Sequence, residues 1–294
     1  MNIIELANKL ETQIKTENNR FCSYFDFMDC QYFIKLNNRN PKIHGMMVIL
    51  GCYARNPNES DDLIQNRAVI LATAIEFYLT TLIMNSSIVH HKRRNQQVYS
   101  INEQQYYAEE ESQNIEKLIF ILKTKGLLHA LKLLIDHNYE DDIGKFFYKI
   151  IKYTLHGEAL DILAPICNIS DEYKYIVEKD LESREIKRKI ESFLFETSFY
   201  MGYCLGGGNI DESVIQWFKE FGSNLASICQ LKVRVNLLQN EYSLDDLYIY
   251  QRSNNINSFN ELLKSIDDGP LSNGADIIKE YLCTNILDIF LKNG

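Results

Sequence analysis

Apolar residues recur at helical spacing along almost the whole chain. Ile3, Leu6, Ala7, Leu10 and Ile14 fall on one face of a first amphipathic helix. A second helix is expected over Phe21 to Leu36 and a third over Ile43 to Tyr53, parted by Asn37, Asn38, Asn40 and Pro41. The strongest helix follows Asn56-Pro57-Asn58: Ser60 suits an N-cap, Asp61 and Asp62 suit the positive end of the dipole, and the run closes on His90, His91, Lys92, Arg93 and Arg94. No Gly or Pro interrupts it, so about 30 residues can run as one helix of roughly 45 Å. From Ala68 to Ile83 it is apolar or small on nearly every face except at Glu76, the pattern of a helix buried at the centre of a bundle. Further helices are expected over Gln113 to His137, Asp141 to Leu163, Glu172 to Cys204, Glu212 to Leu238, Ser258 to Ile266 and Gly274 to Leu291. Tyr242 to Asn257 has no clear period and reads as a loop or short helix. With no hairpin signal and no strand–helix alternation, the expectation is one all-α domain over 1–294, with about ten helices around a central one.

Composition agrees. The chain has 294 residues, long enough for a substantial core, and only 13 Gly and 4 Pro, few breakers for long helices. Against 31 Lys+Arg stand 40 Asp+Glu, a formal charge of −9, which argues against a long phosphate-backbone footprint and hence against nucleic acid as partner. Seven scattered cysteines without a CxxC pair read as reduced thiols, so a cytoplasmic location is expected. Glu5 and the lack of a basic-then-apolar opening argue against a secretory signal, and Glu76 breaks the most apolar stretch, so no membrane span is expected.

Read residue by residue, the candidate chemistry is sparse. His90 and His91 are adjacent and so diverge on a helix, and the position four beyond His90 is Arg94; a cation cluster at a helix end explains them better than a metal site. Gly206-Gly207-Gly208 lacks the Lys and Ser/Thr of a phosphate loop and reads as a helix C-cap, with Asn209 and Asp211 leading into the next N-cap. The Asp pairs at 61–62, 141–142, 245–246 and 267–268 lack a third acid one turn on and read as helix or turn starts. Thr80, Thr81, Ser86 and Ser87 are small polar residues on the core helix that need partners, close helix packing or an adjoining cavity.

Ordered segments nevertheless resemble the trans-isoprenyl diphosphate synthase (polyprenyl synthetase) family. Pro41 to Leu50 resembles its KRxRPxLVLL stretch; Ala72 to Ile88 resembles the helix carrying its first aspartate-rich motif, with Arg93-Arg94 after it. His156 to Asp161 resembles GQxxD, Lys189-Ile190 with Phe193-Leu194-Phe195 resembles KTxxLF, and Gly222 to Leu225 with Gln230-Leu231 resembles the lead-in to the second aspartate-rich motif. The resemblance spans roughly 41 to 238 and implies the isoprenoid-synthase helical bundle.

At the motifs themselves the chain departs. Where the family has its first DDxxD this chain has Ser86, Ser87 and His90, and where it has the second, Val233, Arg234 and Leu237. In the family those carboxylates hold the magnesium ions that bind an allylic diphosphate and let it ionise; Ser, Val and Leu offer a hard cation no charge, and Arg234 repels it. Lys125, after Thr124, stands where a further family Asp is expected. Lys42, His44, Arg93, Arg94, Lys189 and Gln230 are what remains of the diphosphate-binding set, and Thr80, Thr81 and Leu82 would line the prenyl cavity. The resemblance thus implies a prenyltransferase fold without catalytic residues, metal or other cofactor. Its expected partners are a second copy or a catalytic prenyl synthase, with a prenyl diphosphate or lipid as ligand. The leading expectation is a non-catalytic subunit or regulator in isoprenoid biosynthesis. The alternatives are a prenyl- or lipid-binding module, a prenyltransferase- or terpene-synthase-like enzyme with altered chemistry through Ser86, His90 or Arg234, and a structural relic without ligand.

Overall fold

The computed structural model describes residues 3–23, 27–39, 42–55, 62–98, 104–139, 141–163, 172–238 and 257–287. Side chains are described within these except at 27–29, 32, 39, 62–63, 85–98, 104–116, 141–142, 155–163, 172–188, 229–238 and 286–287. The described residues are all-α, with ten helices and no strand. They are α1 (Ile3–Cys22), α2 (Phe27–Arg39), α3 (Ile43–Arg55), α4 (Asp62–Val98), α5 (Gln104–Asp136), α6 (Asp141–Leu163), α7 (Glu172–Leu205), α8 (Glu212–Leu238), α9 (257–267) and α10 (Ala275–Leu282). A 3-10 turn (Ser272–Gly274) precedes α10 and a π turn (Cys283–Leu287) follows it.

Several boundaries differ from the expected ones: among them, α5 starts at Gln104 and not at Gln113, and α2 runs past Leu36 to Arg39. The second helix starts at Phe27, because α1 carries on through Phe21, whose ring continues the buried stripe of Leu6, Leu10 and Ile14. The core helix is 37 residues long, since its basic end continues as helix to Val98. The last helix gives way at Cys283 to a π turn.

The chain gathers into two compact units, 3–46 with 66–139 and 47–65 with 140–294; two of the boundaries fall inside α3 and α4 and the third between α5 and α6. In the first unit, every residue of α4 from Leu71 to Thr81 is buried, as the apolar run requires. Rings join four helices there: Phe21 lies 4.6 Å from Phe33, Phe33 lies 5.5 Å from Phe77, and Phe77 lies 4.8 Å from His129, centroid to centroid. The window Ile64–Met84 is, by length and composition, apolar enough to cross a membrane, but 78% of it is buried inside the fold as this core helix.

The second unit is built on close backbone approach. A Cβ on Gly202 would lie 2.0 Å from the Val48 carbonyl oxygen, and one on Gly51 would lie 2.5 Å from that of Phe199, so bare glycines let α3 and α7 touch. Aromatic residues fill the adjoining space: Phe199 packs edge-on to Phe221 at 5.2 Å, and Trp217 stacks on Phe221 at 4.9 Å. The glycine run is the C-cap its sequence implies. Gly207 has φ +80°, Gly208 N–H donates to the Tyr203 carbonyl at 2.9 Å and Gly207 N–H to that of Cys204 at 2.9 Å, the pairing of a Schellman motif. Asp211 then caps α8, accepting from Val214 N–H at 2.9 Å and from the Ser213 hydroxyl at 2.5 Å.

Candidate functional site

Of the remnants of the diphosphate-binding set, Lys42, in the first unit, joins a hydrogen-bonded network. It sits just before α3 with φ 58°, the left-handed region that side chains other than Gly seldom adopt, while its carbonyl accepts the Met46 N–H at 3.0 Å. That conformation turns the side chain back to the end of α2. Lys42 Nζ donates to Asn37 Oδ1 at 2.9 Å and to the Asn37 carbonyl oxygen. A carbonyl in the last turn of a helix lacks an intrahelical donor, so the ammonium caps α2.

Around this contact lies a buried polar chain. Asn37 Nδ2 donates to Asn18 Oδ1 at 3.0 Å, and Asn18 Nδ2 donates to Asn38 Oδ1 at 3.3 Å. The Thr80 hydroxyl is 3.2 Å from Asn37 Oδ1 and 2.8 Å from the Glu76 carbonyl oxygen. Glu76, wholly buried on α4, accepts the Gly45 N–H at 2.7 Å in the first turn of α3. Gly45 is bare for a reason: a Cβ there would lie 3.0 Å from Glu76 Cγ.

Burial dominates the electrostatics. It pushes Glu76 up to about 7, against the Lys42 charge and the Gly45 N–H, which favour the carboxylate. It lowers Lys42, against the charges of Glu76 and Glu11. It lowers His44 to about 4, leaving that imidazole neutral at pH 7. Nearby, buried Glu17 accepts from Arg20 at 2.6 Å and Gln13 at 3.1 Å and meets His129 Nε2 at 3.1 Å. Burial raises Glu17, but the His129 hydrogen bond and the Arg20 charge outweigh it and hold the carboxyl below its ordinary value.

The remaining site residues are placed as follows. Lys189 is exposed on α7. Thr80 and Thr81 are buried and Leu82 half-buried on α4. The Thr81 hydroxyl donates to the Tyr78 carbonyl at 2.6 Å, and a Cβ added to Gly126 would lie 2.7 Å from the Thr81 methyl and 2.7 Å from the Phe33 ring. Ser86, Ser87, His90, Arg93 and Arg94 lie on α4, and Gln230, Val233, Arg234 and Leu237 on α8; their side chains lie outside the described residues. Among the described residues, no three His, Cys, Asp or Glu side chains form a group able to hold a metal ion. Two hydroxyls and an imidazole on α4, with Val, Arg and Leu on α8, are a donor set that does not fit magnesium.

Pattern reasoning missed Asn37, Asn18, Glu17 and His129. Two signals were present: Glu17 and Asn18 continue the stripe of Leu6, Leu10 and Ile14, and Glu76 is a lone charge in an otherwise apolar helix, which must find a partner.

No family profile and no curated protein matches the sequence. Solved structures do match its fold. An isoprenoid synthase family member from Thermotoga neapolitana aligns at TM-score 0.60 and 14% identity over 93% of this chain and 97% of that one. A geranyltranstransferase from Thermotoga maritima aligns at 0.60 and 14%, over 94% and 98%. A Helicobacter pylori geranyltransferase, solved with magnesium and isoprenyl diphosphate, aligns at 0.59 and 14%, over 95% and 97%. The fold is therefore the all-α isoprenoid-synthase fold. Within that class it is the fold of the trans-isoprenyl diphosphate synthases, as the sequence resemblance implied.

Proposed function

We propose that this protein is a polyprenyl-synthase-fold pseudoenzyme of isoprenoid metabolism, a cytoplasmic non-catalytic subunit or regulator that pairs with a catalytic prenyl diphosphate synthase. The observation that carries the reading is the absence of every carboxylate at the two positions where the resembled family keeps its aspartate-rich motifs. Without those anions, magnesium has no ligands and a diphosphate leaving group has no neutralising metal. The state of Lys42 supports the same reading: its ammonium is committed to Asn37 and to the end of α2, so binding a diphosphate there would break a helix cap. The closeness of Gly126 to Thr81 and Phe33, where even an added Cβ has no room, supports a subunit over a lipid carrier.

Mixing the purified chain with a DDxxD-bearing synthase from the same host tests the proposal. The expected result is a stable complex in which the partner's rate or product length changes. A partner whose kinetics and products are the same with and without this chain would count against it.

A further inference from the structure

The helices α1 and α2 bring two thiols together. Asn18 meets Asn37 through a 3.0 Å hydrogen bond; one turn further along α1, the Phe21 ring lies 4.6 Å from that of Phe33, one turn further back on α2. That is the register of two antiparallel helices. The next step along the same faces reaches Cys22, the last residue of α1, and Cys30, in the first turn of α2. There the two thiols are hydrogen-bonded to each other. Both are reduced, Cys30 fully buried and Cys22 half-buried. Seven residues separate them in the sequence, so no CxxC motif marks the pair.

We propose that Cys22 and Cys30 form a reversible disulfide, closed by exchange with a small disulfide of the glutathione class and reopened by the matching thiol. Cys22, the member that solvent reaches, gives up its proton, and its thiolate attacks one sulfur of the small disulfide. That S–S bond breaks, and the departing thiolate takes up a proton. The Cys30 sulfur then attacks Cys22 Sγ, and its proton passes to the second small thiolate as that group leaves. Two protein thiols are oxidised to one disulfide while one small disulfide is reduced to two thiols. Burial and the adjoining Cys30 thiol push Cys22 up to about 12, so at neutral pH the pair rests as thiols and exchange is slow, the behaviour of a site that answers sustained oxidation. Once closed, the bond ties together the two helices whose Asn18 and Asn37 meet beside Lys42. The site does not rest on the subunit reading.

The test equilibrates the full-length chain, folded and urea-unfolded, in a series of glutathione redox buffers at mildly alkaline pH, followed by acid quench, alkylation and trypsin. Both cysteines leave in one peptide, Phe21 to Lys35, which the disulfide makes two hydrogens lighter and closed to alkylation. If the fold holds the thiols together, it favours the bond, and the bond favours the fold by the same factor. The expected result is that the folded chain closes the pair in buffers at least about tenfold more reducing than the unfolded chain requires. The oxidised chain should also unfold at higher urea than the reduced one. Cys22→Ser, at a half-buried position, should abolish the lighter peptide and leave the circular-dichroism spectrum unchanged. Closure of the folded and unfolded chains in the same buffers would overturn the proposal. So would a glutathione adduct on Cys22 without the internal bond, or a bond from Cys22 to another cysteine. The decisive comparison is made on the parent chain, so it stands whether or not the variant folds.

Discussion

The two units solve the packing problem in opposite ways. Around α3 and α7 the second unit removes side chains: glycines at 51 and 202 let backbones touch, and aromatic rings fill what is left. The first unit keeps polar side chains in its interior and satisfies them, with Lys42, Asn37, Asn18, Thr80 and Glu76 bonded to one another and to helix ends. The glycine contacts tolerate no added atoms, whereas the polar interior tolerates no missing partner. Substitutions should separate them by size of effect.

The largest effect is expected at Gly202. Gly202→Val puts a Cβ where 2.0 Å separates it from the Val48 carbonyl oxygen, and the backbones must move apart. Urea denaturation should show a loss of about 3–5 kcal/mol, or no cooperative fold. Asn37→Leu comes next: it strips Lys42 and Asn18 of a buried partner, with an expected loss of about 2–4 kcal/mol by the same measurement.

Protonation tests the polar interior of the first unit. Glu76 has a folded pKa raised from about 4.5 to about 7, so its contribution is full below 4.5 and is lost as pH rises through 7. Glu17 has a lowered folded pKa, so its contribution is present above 4.5 and is lost as pH falls through the folded value. Urea midpoints measured across pH should therefore fall on both sides. Glu76→Gln should flatten the decline between pH 4.5 and 7, and Glu17→Gln should flatten the acid limb alone. If neither variant changes its limb, the electrostatic account of the first unit is wrong. The smallest effect is expected at Gly207 in the Schellman cap, where Ala must hold φ +80° at about 1 kcal/mol.

The same contrast explains what the sequence made legible. Helix faces came from apolar spacing, and α4 is buried all round where its pattern has no polar side. The cap at Gly206 to Gly208 followed from local chemistry, because its hydrogen bonds join residues only three to five apart. The polar interior was not legible. Asn37 read as part of a break between helices, yet it lies inside α2 and joins residues 19, 5 and 43 positions away. Such partners follow from tertiary packing, which periodicity does not encode. Lys42 shows the consequence for function: resemblance implies a diphosphate contact for it, and only the packing shows its ammonium hydrogen-bonded to Asn37 near the end of α2.

The central proposal is that this chain does not perform prenyl transfer by itself. Its most direct test is to incubate the purified chain with magnesium, labelled isopentenyl diphosphate and an allylic diphosphate, and to measure label in extended prenyl products. The account predicts no incorporation above a protein-free control, at any magnesium concentration. Magnesium-dependent formation of an extended product by this chain alone would contradict it.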